Sequence, residues 1–147
     1  MKYTCTVEID LPRDKAAKLW ADESNFKEWQ DGFISIERLS GDAEAEGTKS
    51  RILLKQGKGQ MELIETIIHS NLPEEKKAFY EHIHMDNTQT TTFEAITATR
   101  TRCISEVEYT KFKSFIPKVM AFLFPGVFKS QSQKWLDQFK AFAEKKR

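Results

Sequence analysis

Residues 115–142, FIPKVMAFLFPGVFKSQSQKWLDQFKAF, decide the fold because they concentrate the aromatic residues of the chain. They hold six of its eleven Phe residues and one of its three Trp residues. In their second half, apolar residues recur every three or four positions, which predicts an amphipathic helix with a buried stripe. The stripe comprises Phe128, Ser132, Trp135, Phe139 and Phe142, widened by Leu136 and Ala143. A helix this aromatic needs a broad apolar surface against which to pack.

The first half of the segment is more apolar and leaves little polar face. Pro125 and Gly126 then interrupt it. A kink or break is expected there, because proline lacks an N–H and clashes with the preceding turn. Two interpretations are open for residues 122–126. Packing against the sheet is favoured, and an entrance segment that touches a membrane is the alternative.

The rest of the sequence has the pattern of an antiparallel sheet. Tyr3, Cys5, Val7 and Ile9 alternate with polar residues, which is typical of a half-buried strand. Two short helices are predicted next, and six further strands follow with short connections that favour antiparallel pairing. The predicted helices are residues 13–22 and 25–30, and the predicted strands are residues 33–39, 48–55, 60–69, 77–85, 89–97 and 99–110.

An antiparallel meander that ends in one long aromatic helix predicts an α+β fold. The length favours a single domain over residues 1–147, and the balanced charge gives no reason to expect a nucleic-acid partner. The 23 basic and 22 acidic residues leave a net charge of +1, and no basic block is present. The first ten residues alternate rather than run apolar, so no signal peptide is expected. The most apolar run, residues 119–124, is too short to span a bilayer. Two cysteines without an export signal indicate a reducing cytoplasm.

Motifs that would indicate a cofactor or a metal are absent or weak. The chain has no P-loop, no dinucleotide-binding glycine pattern, no C-x-x-C and no G-x-S-x-G, so no cofactor is expected. His82 and His84 share one strand face, a spacing that can chelate a metal. Only His69 could join them, and no carboxylate is fixed nearby by the sequence. Surface histidines are therefore favoured, and no metal site is predicted.

Three stretches resemble a known superfamily. Residues 10–29, DLPRDKAAKLWADESNFKEW, resemble the first strand end and helix pair of the START-like (SRPBCC) superfamily, which includes polyketide cyclases/dehydratases and pollen allergens. GFISIERLSG and GTKSRILLK resemble its second and third strands. The resemblance implies a helix-grip fold, in which a seven-stranded curved antiparallel sheet wraps around a long C-terminal helix. It also implies a cavity for a small apolar molecule.

The lining of that cavity is predicted from strand parity. The odd residues of the first strand, of residues 60–69 and of residues 77–85 form the more apolar faces and are expected to point inward. The even residues, including Tyr80 and His82, are then expected to face water. The predicted ligand-binding residues are Leu63, Glu65, Glu81, Ile83, Phe93, Val119 and Phe122, around a cavity of roughly 300–1,000 Å³.

Glu65 and Glu81 are the weak candidates for acid–base catalysis. If the turn at Pro73 pairs Asn71 with Glu75, the two glutamates lie opposite each other on the inner face. Two facing carboxylates on an apolar surface are costly, and one would keep its proton. A one-residue bulge or an arginine partner would make them ordinary sheet charges, and this alternative is favoured.

The favoured function is binding of a small hydrophobic molecule, lipid-like or aromatic, in the cavity between sheet and helix. The alternative is an enzyme of the polyketide cyclase/dehydratase or hydrolase type that uses a polar group in the same cavity. The resemblance also admits an adaptor similar to the activators of heat-shock ATPases. Contact with a membrane is the less favoured possibility for a partner.

The two cysteines test the strand pairing that the resemblance implies. In a helix-grip sheet the first strand pairs antiparallel with the last, and these strands carry Cys5 and Cys103. Both are expected to point inward, as cross-strand neighbours or one diagonal step apart. Free thiols are predicted, because buried thiols react poorly and strand-pair geometry suits disulfides badly.

Overall fold

A computed structural model describes residues 1–147 as one sheet of seven strands with four α-helices. Chain order is one strand, two short helices, six strands and two C-terminal helices. The strands are β1 (Lys2–Ile9), β2 (Phe33–Ser40), β3 (Lys49–Gln56), β4 (Gly59–Asn71), β5 (Glu75–Glu81), β6 (Met85–Thr97) and β7 (Arg100–Phe112). The helices are α1 (Arg13–Ala21), α2 (Phe26–Trp29), α3 (Phe115–Leu123) and α4 (Pro125–Glu144), with a 3-10 turn at Glu23–Asn25.

The sheet is antiparallel throughout and confirms the predicted α+β class. Its strand order is β1-β7-β6-β5-β4-β3-β2, so β2 to β7 form a meander and β1 joins the far side of β7. The short helices α1 and α2 carry the chain from one edge of the sheet to the other. The curved sheet and the long α4 together make the predicted helix-grip architecture.

The predicted boundary between strands 77–85 and 89–97 is wrong. Strand β5 ends at Glu81 and β6 begins at Met85, so residues 86–88 lie inside a strand and the turn falls at residues 82–84. The Asp86 backbone pairs with Glu81 on one side and Lys111 on the other, and its carboxylate forms a 2.7 Å ion pair with Lys113. Pairing with both neighbouring strands and a charged partner just after β7 therefore outweigh the turn propensity of Asp86 and Asn87.

The expected break in the C-terminal segment is confirmed. Helix α3 ends at Leu123, Phe124 links the helices, and Pro125 occupies the first turn of α4. Proline suits that position because the first N–H groups of a helix have no intrahelical acceptor. No helix of the protein combines the length and the apolar character needed to cross a membrane.

The stripe of α4 packs into the main core. Phe139 is fully buried, as are Leu136 and Ala143, and the Phe139 ring lies edge-on to Trp29 at 5.2 Å. The expectation that Trp135 is also almost fully buried is wrong. Trp135 is half-buried because it lines a cavity, and its Nε1 donates to the Asp31 carbonyl at 3.0 Å.

The cysteine predictions are confirmed. Strand β1 pairs antiparallel with β7, with Cys5 opposite Ser105 and Val7 opposite Cys103, so the two thiols are one diagonal step apart. Both are buried and free. Burial raises the pKa of Cys5, and it raises the pKa of Cys103 to about 12.

Candidate functional site

A cavity of about 390 Å³ lies between the inner face of the sheet and the helices. Its volume falls within the predicted range and within that of small-molecule sites. Most of the lining is apolar. The principal apolar residues are Trp20, Phe26, Trp29, Ile52, Leu54, Met61, Leu63, Val107, Phe128, Trp135 and Leu136.

The structure places Glu65 in this cavity and leaves Glu81 outside it. The turn does pair Asn71 with Glu75, but a bulge between Ile67 and His69 shifts the register by one residue. Glu65 therefore lies opposite Tyr80, and Glu81 lies opposite Ile64 on the outer face. The expectation of two facing glutamates is wrong, and the bulge that was the favoured alternative is the reason.

Because of the same shift, the even residues of β5 point inward, whereas the odd residues were predicted to do so. Lys76, Tyr80 and His82 line the cavity, and Ala78 between them is buried. The sequence offered no signal for this, since both parities of residues 75–85 mix polar and apolar side chains. Only the extra residue in β4, Ile68, sets which face of β5 points inward.

Of the other predicted site residues, Leu63 lines the cavity and four do not. Ile83 is exposed in the turn between β5 and β6. Phe93 is buried in the core beside Trp20, with ring centroids 5.7 Å apart. Val119 is half-buried on α3, and Phe122 is exposed on the same helix. Cavity lining from the C-terminal segment comes instead from α4.

Glu65 and Tyr80 form a hydrogen-bonded polar pair in the cavity. Glu65 is only 7% exposed, and its Oε2 accepts a 2.7 Å hydrogen bond from the Tyr80 hydroxyl. Burial raises the pKa of Tyr80 well above its ordinary value, and the charge of Glu65 adds to the shift. Tyr80 therefore remains protonated and serves Glu65 as a donor. No cation forms an ion pair with Glu65, so its charge is incompletely compensated.

Lys76 is the one cation of the lining, and it already has an anionic partner. Its Nζ lies 3.1 Å from Glu44, whose second carboxylate oxygen accepts from Ser70 at 2.8 Å. The ammonium group also stands 5.7 Å from the centroid of the Trp20 ring. Glu44 reaches this position from a loop in which its own φ is +61°, in the left-handed region.

A second polar cluster joins the sheet to α4. The hydroxyls of Tyr3 and Ser132 are hydrogen-bonded at 2.7 Å. Tyr109 lies beside Tyr3, with ring centroids 6.4 Å apart, and its ring meets Phe128 edge-on. Burial raises the pKa values of both tyrosines, so both hydroxyls stay neutral donors at physiological pH.

His82 is a lining residue that sequence reasoning missed, and its interpretation as a surface histidine is wrong. It is buried and its Nδ1 accepts from the His84 backbone N–H at 3.1 Å. Burial lowers the pKa of His82, and the nearby His84 and Lys113 lower it further. His84 itself is exposed and contacts Ser114. No three His, Cys, Asp or Glu side chains cluster closely enough to hold a metal ion.

Solved structures share this architecture over nearly the whole chain. An aromatase/cyclase from a Streptomyces species superposes with a TM-score of 0.82 at 12% identity, covering 98% of this chain and 93% of that one. A START superfamily protein from Mycobacterium smegmatis gives a TM-score of 0.76 at 12% identity, covering 99% of both chains. The chain has the START-like helix-grip fold.

The START-like fold also occurs in Ara h 8.0201, which superposes with a TM-score of 0.74 at 13% identity and covers 97% of each chain. At the level of sequence, no family model and no curated protein matches the chain. The likeness to these START-like proteins therefore concerns the backbone, and the chemistry of the cavity rests on its own side chains.

Proposed function

We propose that the protein binds a small, largely apolar molecule whose hydrogen-bond donor points at Glu65. The observation that supports this most directly is the buried Glu65 carboxylate in an apolar cavity, with the Tyr80 hydroxyl as its single side-chain hydrogen-bond partner. A buried carboxylate is stabilised by further donors, because one neutral hydrogen bond replaces only part of its hydration. A hydroxyl or ammonium group on the ligand supplies such a donor.

The charges of the lining favour the same ligand class. Lys76 is neutralised by Glu44, which leaves Glu65 as the unpaired charge of the cavity. An anionic head group next to Glu65 would meet a like charge at low dielectric. Neutral or cationic amphiphiles are therefore expected to bind more tightly than fatty acids of the same length.

Occupancy of the cavity is tested with a fluorescent apolar probe, N-phenylnaphthylamine, and two neighbouring variants. Leu63 points into the cavity and Ile64 is on the opposite face of the same strand. Leu63→Trp is expected to fill the cavity and abolish saturable binding, whereas Ile64→Trp leaves it intact. Equal effects of the two variants would contradict binding in this cavity. Native mass spectrometry of protein from its own host then identifies any retained ligand.

The role of Glu65 is tested by displacement of the probe with matched ligands. Dodecanol and dodecylamine are expected to bind at least about tenfold more tightly than dodecanoate, because hydrogen bonds to a buried charge contribute about 1.5–3 kcal/mol. In Glu65→Gln this preference should largely disappear. A preference for dodecanoate in the unmodified protein would contradict the proposed role of Glu65.

The Glu65–Tyr80 pair also favours a second candidate, an enzyme of the cyclase type. A carboxylate in an apolar cavity can take a proton from a carbon between two carbonyls, and a phenol hydroxyl can hydrogen-bond the resulting enolate oxygen. One solved structure with this fold is an aromatase/cyclase. Incubation with a short poly-β-ketone thioester, followed by mass spectrometry, tests this candidate. Catalysis requires that Glu65→Gln and Tyr80→Phe each abolish product formation without preventing binding.

A further inference from the structure

Helix α3 presents its large apolar side chains to solvent and its small ones to the protein. Phe115, Ile116 and Phe122 are 78%, 74% and 85% exposed. Pro117 and Ala121, on the opposite side of the helix, are half-buried. A helix that packs on a soluble core has the reverse arrangement, with its large apolar residues inward. The outer face of α3 is therefore built to be covered by something other than this chain.

The turn between β5 and β6 extends the same surface. Ile83 in this turn is 76% exposed. The next residue, His84, accepts a backbone hydrogen bond from Lys113 and contacts the Ser114 hydroxyl, immediately before α3. We call this surface the α3 patch, and it consists of Ile83, Phe115, Ile116, Phe122, Leu123 and Phe124. Six large, mostly exposed apolar side chains amount to several hundred Å², which exceeds the scattered apolar exposure normal for a monomer.

The charges around the α3 patch indicate what covers it. Residues 110–136 contain five lysines and no acidic residue. Lys113 is paired with Asp86 and Lys134 with Asp31, whereas Lys111, Lys118 and Lys129 are exposed without an ion pair. The acidic residues that flank the β5–β6 turn are Glu81 and Asp86, which pair with each other across the two strands. Apolar side chains flanked by unpaired lysines match the interface of a bilayer that contains anionic lipids.

The α3 patch also adjoins the cavity. Val127, in the first turn of α4, is more than half exposed and lines the cavity as well. His82, one residue before Ile83, is also a lining residue. A surface that docks on a bilayer here brings this part of the cavity wall to the membrane. An apolar molecule could then pass between bilayer and cavity without crossing water.

We propose that the α3 patch docks the protein onto anionic membrane surfaces, with the phenylalanines inserted at the interface and the lysines at the lipid head groups. This interaction is independent of the identity of any cavity ligand. It is measured by co-sedimentation with vesicles of phosphatidylcholine alone or of phosphatidylcholine mixed with phosphatidylglycerol. The protein is expected to bind the mixed vesicles at low salt and to dissociate progressively as salt screens the lysines.

Three variants locate the interaction. Phe115→Ser combined with Phe122→Ser should weaken vesicle binding by about tenfold or more, because two large apolar side chains no longer enter the interface. Lys118→Gln should weaken binding to mixed vesicles by about fivefold, the contribution of one basic residue near an anionic surface. Leu39→Ser combined with Ile96→Ser, two exposed apolar residues outside the α3 patch, is the matched control and should bind normally.

Thermal unfolding of each variant checks that folding is unchanged, and hydrogen exchange should show vesicle-dependent protection at residues 115–127. Absence of binding to mixed vesicles at low salt would overturn the proposal. It would also be overturned if the control variant lost as much binding as the patch variants. Concentration-dependent dimerisation that the Phe115/Phe122 variant abolishes, without vesicle binding, would assign the patch to a second copy of the chain.

Discussion

Helices α3 and α4 follow each other in the chain and are both rich in phenylalanine, yet their side chains end in opposite environments. Phe139 of α4 has no exposed surface, whereas Phe122 of α3 is the most exposed of the large apolar residues. Helix α4 lies along β1 and packs on α1 and α2, where the core needs large apolar side chains. The main contacts of helix α3 are instead with β7 and α4, its neighbours in the chain.

The apolar composition of a helix determines how much surface it can bury. Its position in the fold determines whether that surface is buried. The expectation that residues 122–126 pack into the core is wrong for that reason. Pro125 begins α4 and so separates it from α3, and the side chains of Phe122, Leu123 and Phe124 just before the break remain mostly exposed. Part of the α3 patch therefore lies directly at the point where the helix is interrupted.

The largest expected change in stability comes from a substitution in α4. Phe139→Ala should lower the free energy of unfolding by about 3–5 kcal/mol, because it removes a fully buried ring and leaves a cavity under Trp29. Chemical denaturation measures the change. A loss well under 1 kcal/mol would mean that α4 does not hold the core together.

A smaller effect is expected at the polar contact between α4 and the sheet. Tyr3→Phe removes the 2.7 Å hydrogen bond to Ser132 and should lower the free energy of unfolding by about 1 kcal/mol. Ser132→Ala should lower it by a similar amount, and the double variant should be little less stable than either single variant. Ser130→Ala, at an exposed position on the same helix, is the control. Fully additive single effects would show that the two hydroxyls do not interact.

The pH dependence of stability tests the region that anchors α3. Burial holds the pKa of His82 below its ordinary value of 6.5, so the unfolded chain takes up this proton first as pH falls. Stability is therefore expected to decrease as pH drops through about 6.5, and the decrease ends below the folded pKa. His82→Asn should flatten this part of the profile. An unchanged slope in the variant would assign the pH dependence to other groups.

The smallest expected change in stability comes from the corresponding substitution in α3. Phe122→Ala removes the same side chain as Phe139→Ala but should change the free energy of unfolding by less than about 0.5 kcal/mol, because the ring is already in water. The two variants differ in position alone. A destabilisation of several kcal/mol would show that Phe122 is buried in solution and would remove the basis for the α3 patch.

The sequence by itself determined the features that depend on local periodicity. Alternation at Tyr3, Cys5, Val7 and Ile9 predicted β1, and the three-to-four spacing around Phe139 predicted the buried face of α4. Such patterns are reliable because each residue's face follows from a fixed repeat of the backbone. Pro125 marked the helix break for an equally local reason. The resemblance of residues 10–55 to START-like proteins added the order in which these elements pack.

Only the tertiary structure decided which polar groups meet in the cavity. The extra residue at Ile68 moves the pairing of β4 and β5 by one position, which brings Tyr80 to Glu65 and sends Glu81 to the outer face. A bulge has no distinctive residue type here, and a shift of one residue exchanges the two faces of a strand. The exposure of α3 likewise depends on which elements it contacts, mainly β7 and α4. Strand register and the exposure of α3 both depend on contacts between segments that are distant in the chain. A local sequence pattern cannot specify such contacts.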